Sequence, residues 1–254
     1  MKKFLVFAII GLSVFSIFAQ DKPKTDDKGQ PKVEVKQPLA TVEIKDNSMQ
    51  LAASAITSLG GDKFKQMKTL VMKGSADITT STFSQNIAAQ FNIAMEDEKY
   101  RLDMQNPLQP FKQIFDGTST YSSIPQFSFP PLNRIGMALL QRVGKDGFKV
   151  TALDEKKKKT GFRVTSPEGY FTDFFVDEKT GKVKGYEAQY NVNDTNVTTS
   201  VEIDAYKEVE GVSIPEKYSQ RFDLGMMTIY SNFKCKDILV NSKLDADVFS
   251  MPSK

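Results

Sequence analysis

Between Leu70 and Ile78 the chain alternates, with Leu70, Met72, Gly74, Ala76 and Ile78 on one side and Val71, Lys73, Ser75 and Asp77 on the other. The next run places Phe83, Ile87, Ala89, Phe91, Ile93 and Met95 opposite Ser84, Asn86, Gln90, Asn92 and Glu96, with only Gln85 and Ala88 out of place. Further on, Tyr186, Ala188, Tyr190 and Val192 face away from Glu187, Gln189, Asn191 and Asn193. Val197, Val201, Ile203 and Ala205 likewise face away from Asn196, Thr198, Ser200, Glu202 and Asp204. A period of two residues marks strands with one dry and one wet face, as antiparallel sheets have. Short turn sequences separate the runs: Asp177 to Gly181, Asn193-Asp194, Glu208 to Gly211 and Asp223 to Gly225. Hairpin following hairpin in this way predicts one strongly curved antiparallel sheet.

Two stretches depart from that period. Asn47 or Ser48 can cap a helix whose apolar face is Leu51, Ala52, Ala55, Ile56 and Leu59 and which Gly60-Gly61 ends. Asp62 to Met67 reads as a second short helical turn. Residues 106–135 hold Pro107, Pro110, Pro125, Pro130 and Pro131 around a short hairpin, Phe115-Asp116-Gly117-Thr118. Pro131 then opens a helix bearing Leu132, Ile135, Met137, Leu139, Leu140 and Val143. Inserted in a meander, such a helix is either a lid on one face of the sheet or a plain cover for its core.

The N-terminus has a different character. Met1-Lys2-Lys3 precedes an apolar run from Phe4 to Phe18, and Ala19 stands before the polar Gln20-Asp21-Lys22-Pro23. This is the make-up of a secretory signal peptide cleaved near Ala19, and the run is short of the roughly 20 residues of a membrane span. No Cys follows the run, so bacterial-type lipidation is not expected. Residues 20–46, rich in Lys, Asp and Pro, read as a disordered linker. The expected organisation is a signal over 1–19, a linker over 20–46 and a single folded domain over 47–254, exported to the periplasm.

Composition narrows the chemistry. Among 254 residues there is no His, no Trp and one Cys. That excludes Ser-His-Asp and Cys-His catalysis, His-metal centres, an internal disulfide and thiolate metal cages, and no cofactor is expected. The formal charge of +3 falls to +1 once Lys2 and Lys3 leave with the signal, so nucleic acid is not an implied partner. The acids Glu96-Asp97-Glu98, Asp177-Glu178, Asp245 and Asp247 form no calcium-loop spacing; paired acids for glycoside cleavage stay open among them, but turn acids are usually solvated and no enzyme activity is expected. Lys156 to Lys159 is the densest basic run, read as an exposed hairpin tip or a contact for anionic lipid headgroups. Asn193-Asp-Thr195 and Asn196-Val-Thr198 match the glycosylation pattern but read as turn residues, and Cys235 reads as an inert, half-buried strand residue.

The aromatic content, 19 Phe and 8 Tyr with 10 Met, adds a positive suggestion. Much of it falls on dry strand faces, so the sheet must bury that surface against something. A cavity for an apolar ligand and a filled core both account for it. The candidate lining set is Phe83, Phe91, Ile93, Met95, Met104, Leu132, Ile135, Leu139, Tyr186, Tyr190, Phe222 and Met227.

Several motifs occur in an order that resembles the LolA-like family of outer-membrane lipoprotein-sorting carriers. They are Gly60-Gly61-Asp62-Lys63-Phe64, then Lys68 to Gly74 entering the first strand, then Phe115-Asp116-Gly117-Thr118. Val176 to Gly181, Tyr206 to Pro215 and Asn241 to Pro252 complete the series. The resemblance spans about residues 48–252. It implies a mainly β (α+β) fold, an incomplete, half-open antiparallel β-barrel covered by short helices. It also implies a monomeric, non-catalytic periplasmic carrier that holds lipid or lipoprotein acyl chains and meets inner- and outer-membrane protein partners. The other reading is a non-catalytic scaffold or envelope-interaction module with a filled core. The family's well-studied carrier latches its lid with an early-strand arginine; this chain has none before Arg101, and Lys73 is the basic residue on that strand.

Overall fold

A computed structural model describes residues 47–82, 85–124, 132–192, 195–225 and 227–252. The expected signal peptide and linker, and Phe83 among the candidate lining residues, lie outside the described residues. Twelve strands form one antiparallel sheet. They are β1 (Thr69–Thr80), β2 (Ile87–Glu96), β3 (Lys99–Gln105), β4 (Phe111–Phe115), β5 (Thr120–Ser122), β6 (Lys149–Ala152), β7 (Gly161–Thr165), β8 (Phe171–Val176), β9 (Val183–Val192), β10 (Thr195–Val209), β11 (Val212–Asp223) and β12 (Thr228–Val240). Each pairs with its sequence neighbour except at one place. β5 and β6 are the two free edges, and the last strand returns to pair with the first, giving the order β5-β4-β3-β2-β1-β12-β11-β10-β9-β8-β7-β6. Two meanders are thus joined through β1 and β12, and the sheet stays open where the chain passes from β5 to β6.

Hairpin chemistry follows the turn residues. Between β10 and β11, Glu210 and Gly211 both take positive φ (53° and 78°), the two-residue primed turn that matches strand twist. Between β8 and β9, the Asp177 carboxylate accepts from the amides of Lys179 and Thr180. The Lys184 ammonium above all, with the bonds from Thr180, holds its pKa down at about 2.

Curvature comes from irregularities. A bulge between Lys73 and Gly74 shifts β1 against β12, and a Cβ at Gly74 would sit 2.9 Å from the Cα of Cys235. Two further shifts lie between Ile203 and Tyr206 on β10. They turn Tyr206 to the core in place of Ala205, which strict alternation had put on the dry face. The Tyr206 hydroxyl donates to the carbonyl of Val183 at 2.7 Å.

The concave face carries the main core. α1 (Ser48–Ser58) packs against β6 and β7 through Ala52, Ala55 and Ile56, with Leu59 just beyond its end. α2 (Asp62–Lys65) buries Phe64. On the convex face Val71, Ala94 and Ile114 are covered by Phe249 of the C-terminal segment. Arg101 is here, paired with Asp103 and donating to the carbonyl of Val248, and Lys73 is exposed.

Two expectations need correction. Pro131, read as opening a helix, lies outside the described residues, and over 132–143 that helix is a single turn, α3 (Met137–Leu140). Gly136, inside that span, takes φ +59°, which no continuous right-handed helix accommodates. The Lys156–Lys159 run is not simply a solvated tip. Lys157, in a 3-10 turn over Glu155–Lys157, reaches between the carboxylates of Asp173 and Glu187.

Candidate functional site

The concave face is not filled throughout. A cavity of about 370 Å³ lies between the inner faces of β1–β3 and β9–β12 and the segment that carries α2 and α3. This is within the usual size of small-ligand pockets, roughly 300–1,000 Å³. Its walls are chiefly apolar because period-two alternation on each strand delivers every second side chain to the same space.

The sheet side is built from Leu70 and Met72 on β1, Ile93 and Met95 on β2, and Leu102 and Met104 on β3. Tyr186, Val201, Ile214, Tyr218, Phe222 and Phe233 supply the other half. The cover contributes Phe64, Met67, Leu132, Ile135, Met137 and Ala138. Of the candidate lining residues, Ile93, Met95, Met104, Leu132, Ile135, Tyr186 and Phe222 therefore border the cavity. Phe91 stands behind the wall, edge-on to Phe233 at 5.2 Å, while Phe233 stacks on Tyr218 at 4.7 Å. Leu139, in the surrounding core, and Tyr190 are buried and do not border the space. Met227 sits in the β11–β12 turn, where its Sδ accepts from Thr82 Oγ1 at 3.7 Å.

Phe64, Met67, Leu102, Ile214 and Tyr218 border the cavity without having been singled out from the sequence. Leu70, Met72 and Val201 were placed on dry faces by their alternation, which is the signal that could have found them. Nothing local in the sequence marks Phe64 or Met67.

The interior is polar at few points. Burial pushes the hydroxyls of Tyr186 and Tyr218 well above the ordinary phenol range, so both stay neutral. Gln220 also borders the cavity, and its amide donates to Thr199 Oγ1 at 3.0 Å. The charged residues are gathered at one end, where β1 begins: Lys65, Lys68, Asp97, Glu98, Arg142 and Lys145.

The cover is held there by polar contacts. Gln141 donates its amide to the carbonyls of Met67 (2.6 Å), Phe64 (3.1 Å) and Lys65 (3.5 Å). Lys65 Nζ donates back to the carbonyl of Val143 at 2.8 Å. Arg142 pairs with Glu98 at 2.8 Å, and Asn133 donates to the Glu98 carbonyl at 2.6 Å. At the far side the Gly136 amide donates to the buried Thr172 hydroxyl at 3.0 Å. These bonds join α3 and its flanks to α2, to the β2–β3 turn and to β8, three places remote in sequence. Neither Arg101 nor Lys73 takes part.

No protein-family model matches the chain. No curated protein matches it in sequence. Among solved structures, a LolA superfamily protein from Nitrosomonas europaea aligns with 78% of this chain and 97% of its own, at 11% identity and a TM-score of 0.48. A DUF1329 family protein from Desulfovibrio piger aligns with 80% of this chain and 97% of its own, at 9% identity and a TM-score of 0.43. A domain assigned to outer-membrane lipoprotein sorting from Vibrio parahaemolyticus shares the same coverage at 8% identity and a TM-score of 0.42. At these identities the likeness concerns fold alone, and in fold this chain is similar to a LolA superfamily protein.

Proposed function

We propose that the protein is an exported, non-catalytic carrier that holds a lipid or lipoprotein acyl chain beneath its α2–α3 cover and hands it on within the bacterial envelope. The observation that carries this reading is the cavity: an apolar space, open at its charged end, in a core that could have been filled, bordered by adaptable Met side chains at positions 67, 72, 95, 104 and 137. Acyl chains suit such a space because they bind by burial alone, worth ~0.8 kcal/mol per CH₂, and need no catalytic group. The order of sequence motifs, which resembles the lipoprotein-sorting carriers, supports the same reading. Release follows when the polar contacts of Gln141 and Lys65 open, which makes the cover the natural point of action for a membrane partner.

The test is direct. Protein purified from its native host is extracted with organic solvent and the extract analysed by mass spectrometry, and lipid-stripped protein is titrated with the uncharged probe N-phenyl-1-naphthylamine. Co-purifying lipid and saturable probe fluorescence are expected. A protein that carries no lipid and ignores the probe is a scaffold with a closed core.

A further inference from the structure

The six charged residues around the cavity all lie at the β1 end, four cations against two anions. Two of the cations are engaged by the fold: Lys65 with the Val143 carbonyl and Arg142 with Glu98. Lys68 and Lys145 are exposed, and among the described residues neither side chain has a carboxylate partner. One arises at the entry to β1 and the other beyond α3, so they reach the same opening from the sheet and from the cover. An apolar ligand gains nothing from two free ammonium groups at the only charged part of its pocket wall. An amphiphile whose chain fills the cavity leaves its head at this end, where an anionic head meets a net positive rim.

We infer that the ligand is an anionic amphiphile whose chain occupies the cavity and whose head is received by Lys68 and Lys145. This rests on the acyl-chain reading of the cavity and specifies the head that the reading leaves open. Electrostatic selection of this kind acts over about 10 Å at ~0.1 M salt and fades as salt rises, whereas chain burial does not. The two contributions therefore separate in one experiment.

Displacement of N-phenyl-1-naphthylamine is measured with two ligands of identical chain below their micellar concentrations, palmitoyl lysophosphatidic acid and monopalmitoylglycerol. At low salt the phosphate ligand is expected to displace the probe at about tenfold lower concentration. In ~0.5 M NaCl, or in the Lys68→Gln/Lys145→Gln variant, the two ligands should converge. The uncharged glyceride serves throughout as the control for a folded, accessible cavity. Equal displacement by both ligands at low salt, or a preference that survives in the variant, overturns the inference while leaving a chain carrier intact. Failure of both ligands to displace the probe overturns the carrier reading and the inference together. Inorganic phosphate at ~10 mM separates the sources. It should lower the lysophosphatidic acid advantage only as much as equal ionic strength of NaCl does, and a complete loss would mark a free-phosphate site and overturn the headgroup assignment.

Discussion

Gly136 lies flat against the ring of Tyr186: a Cβ placed on it would stand 2.7 Å from Cζ and 2.8 Å from the hydroxyl oxygen. The cover of the cavity is thus seated on one of its walls at a residue that cannot carry a side chain. Gly136 also holds φ +59°, a conformation costly for L residues. Gly136→Ala is expected to lose about 1–3 kcal/mol of stability through that backbone strain and the clash together. Thermal unfolding measures the loss, and an unchanged melting temperature would mean that the cover is not seated as described.

Gln141 is a different kind of tie, since its one amide group serves carbonyls of Phe64, Lys65 and Met67. Gln141→Leu keeps the side chain's bulk and removes the donors. It should cost about 1 kcal/mol globally. The larger effect is local: amide exchange across residues 137–143 should accelerate, and probe uptake with it. If exchange rises evenly over the whole sheet, Gln141 supports the core and is not a tie on the cover.

The dry faces of β1, β2 and β9 are legible in the sequence because period-two alternation there is interrupted only by small residues such as Ala88. Legibility fails where the backbone departs from that period. The bulges between Ile203 and Tyr206 exchange the roles of Ala205 and Tyr206 without any change in composition. Alternation also assigns a face and not what stands opposite it. Tyr190 lies on the dry face of β9 and is buried, yet it does not border the cavity. The cavity exists only because β12 returns to β1 and α2 meets Gln141, contacts separated by more than 70 residues, so Phe64 and Ile214 carry no local sign of their role. The Asp173 network was equally hidden, since Lys157 comes from a turn, Arg163 from β7 and Glu187, which shares Lys157, from β9.

Asp173 on β8 is 1% exposed, bidentate with Arg163 and paired with Lys157 at 2.9 Å. Burial alone would raise its pKa, but hydrogen bonds and charge from Arg163 and Lys157 outweigh that and hold it below the usual carboxylate value. A folded-state pKa below the unfolded one contributes stability that is present above about pH 4 and is lost as pH falls through the folded value. Asp173→Asn should therefore cost about 2–3 kcal/mol at neutral pH. That is less than the ~3–5 kcal/mol of fully buried pairs, because both cations keep partial contact with water and Lys157 retains Glu187. The variant should also lose less stability than the parent as pH falls below about 4, as followed by urea midpoints. A parallel pH profile would show that Asp173 does not titrate with unfolding.

Cys235 on β12 is buried, its Sγ 3.5 Å from the Pro215 carbonyl, and burial pushes its thiol up to about 11. At pH 8 about one thiol in a thousand is ionised, against roughly one in four for a free cysteine. Reaction with a disulfide reagent should be slow in the native protein, rapid in denaturant, and its native rate should follow the opening of the β1–β12 pairing. Fast labelling of the folded chain would be incompatible with that burial.

Met95 gives the sharpest choice between a vacant and a filled concave face. It borders the cavity on β2 and is only partly buried. The chain has no Trp, so Met95→Trp would be the sole indole and would report its own surroundings. In a filled core the larger ring would be forced against its neighbours at a cost of typically 1–3 kcal/mol. Here it has empty space to enter, so the melting temperature should be held or raised, the emission should be blue-shifted, and probe uptake should fall as the ring occupies the volume a chain would take. A variant that melts early yet binds the probe as before would place the ring in the core and the probe elsewhere. Retained stability together with lost binding is the pairing that only a vacant cavity produces, because it separates the room for a ligand from the stability of the sheet around it.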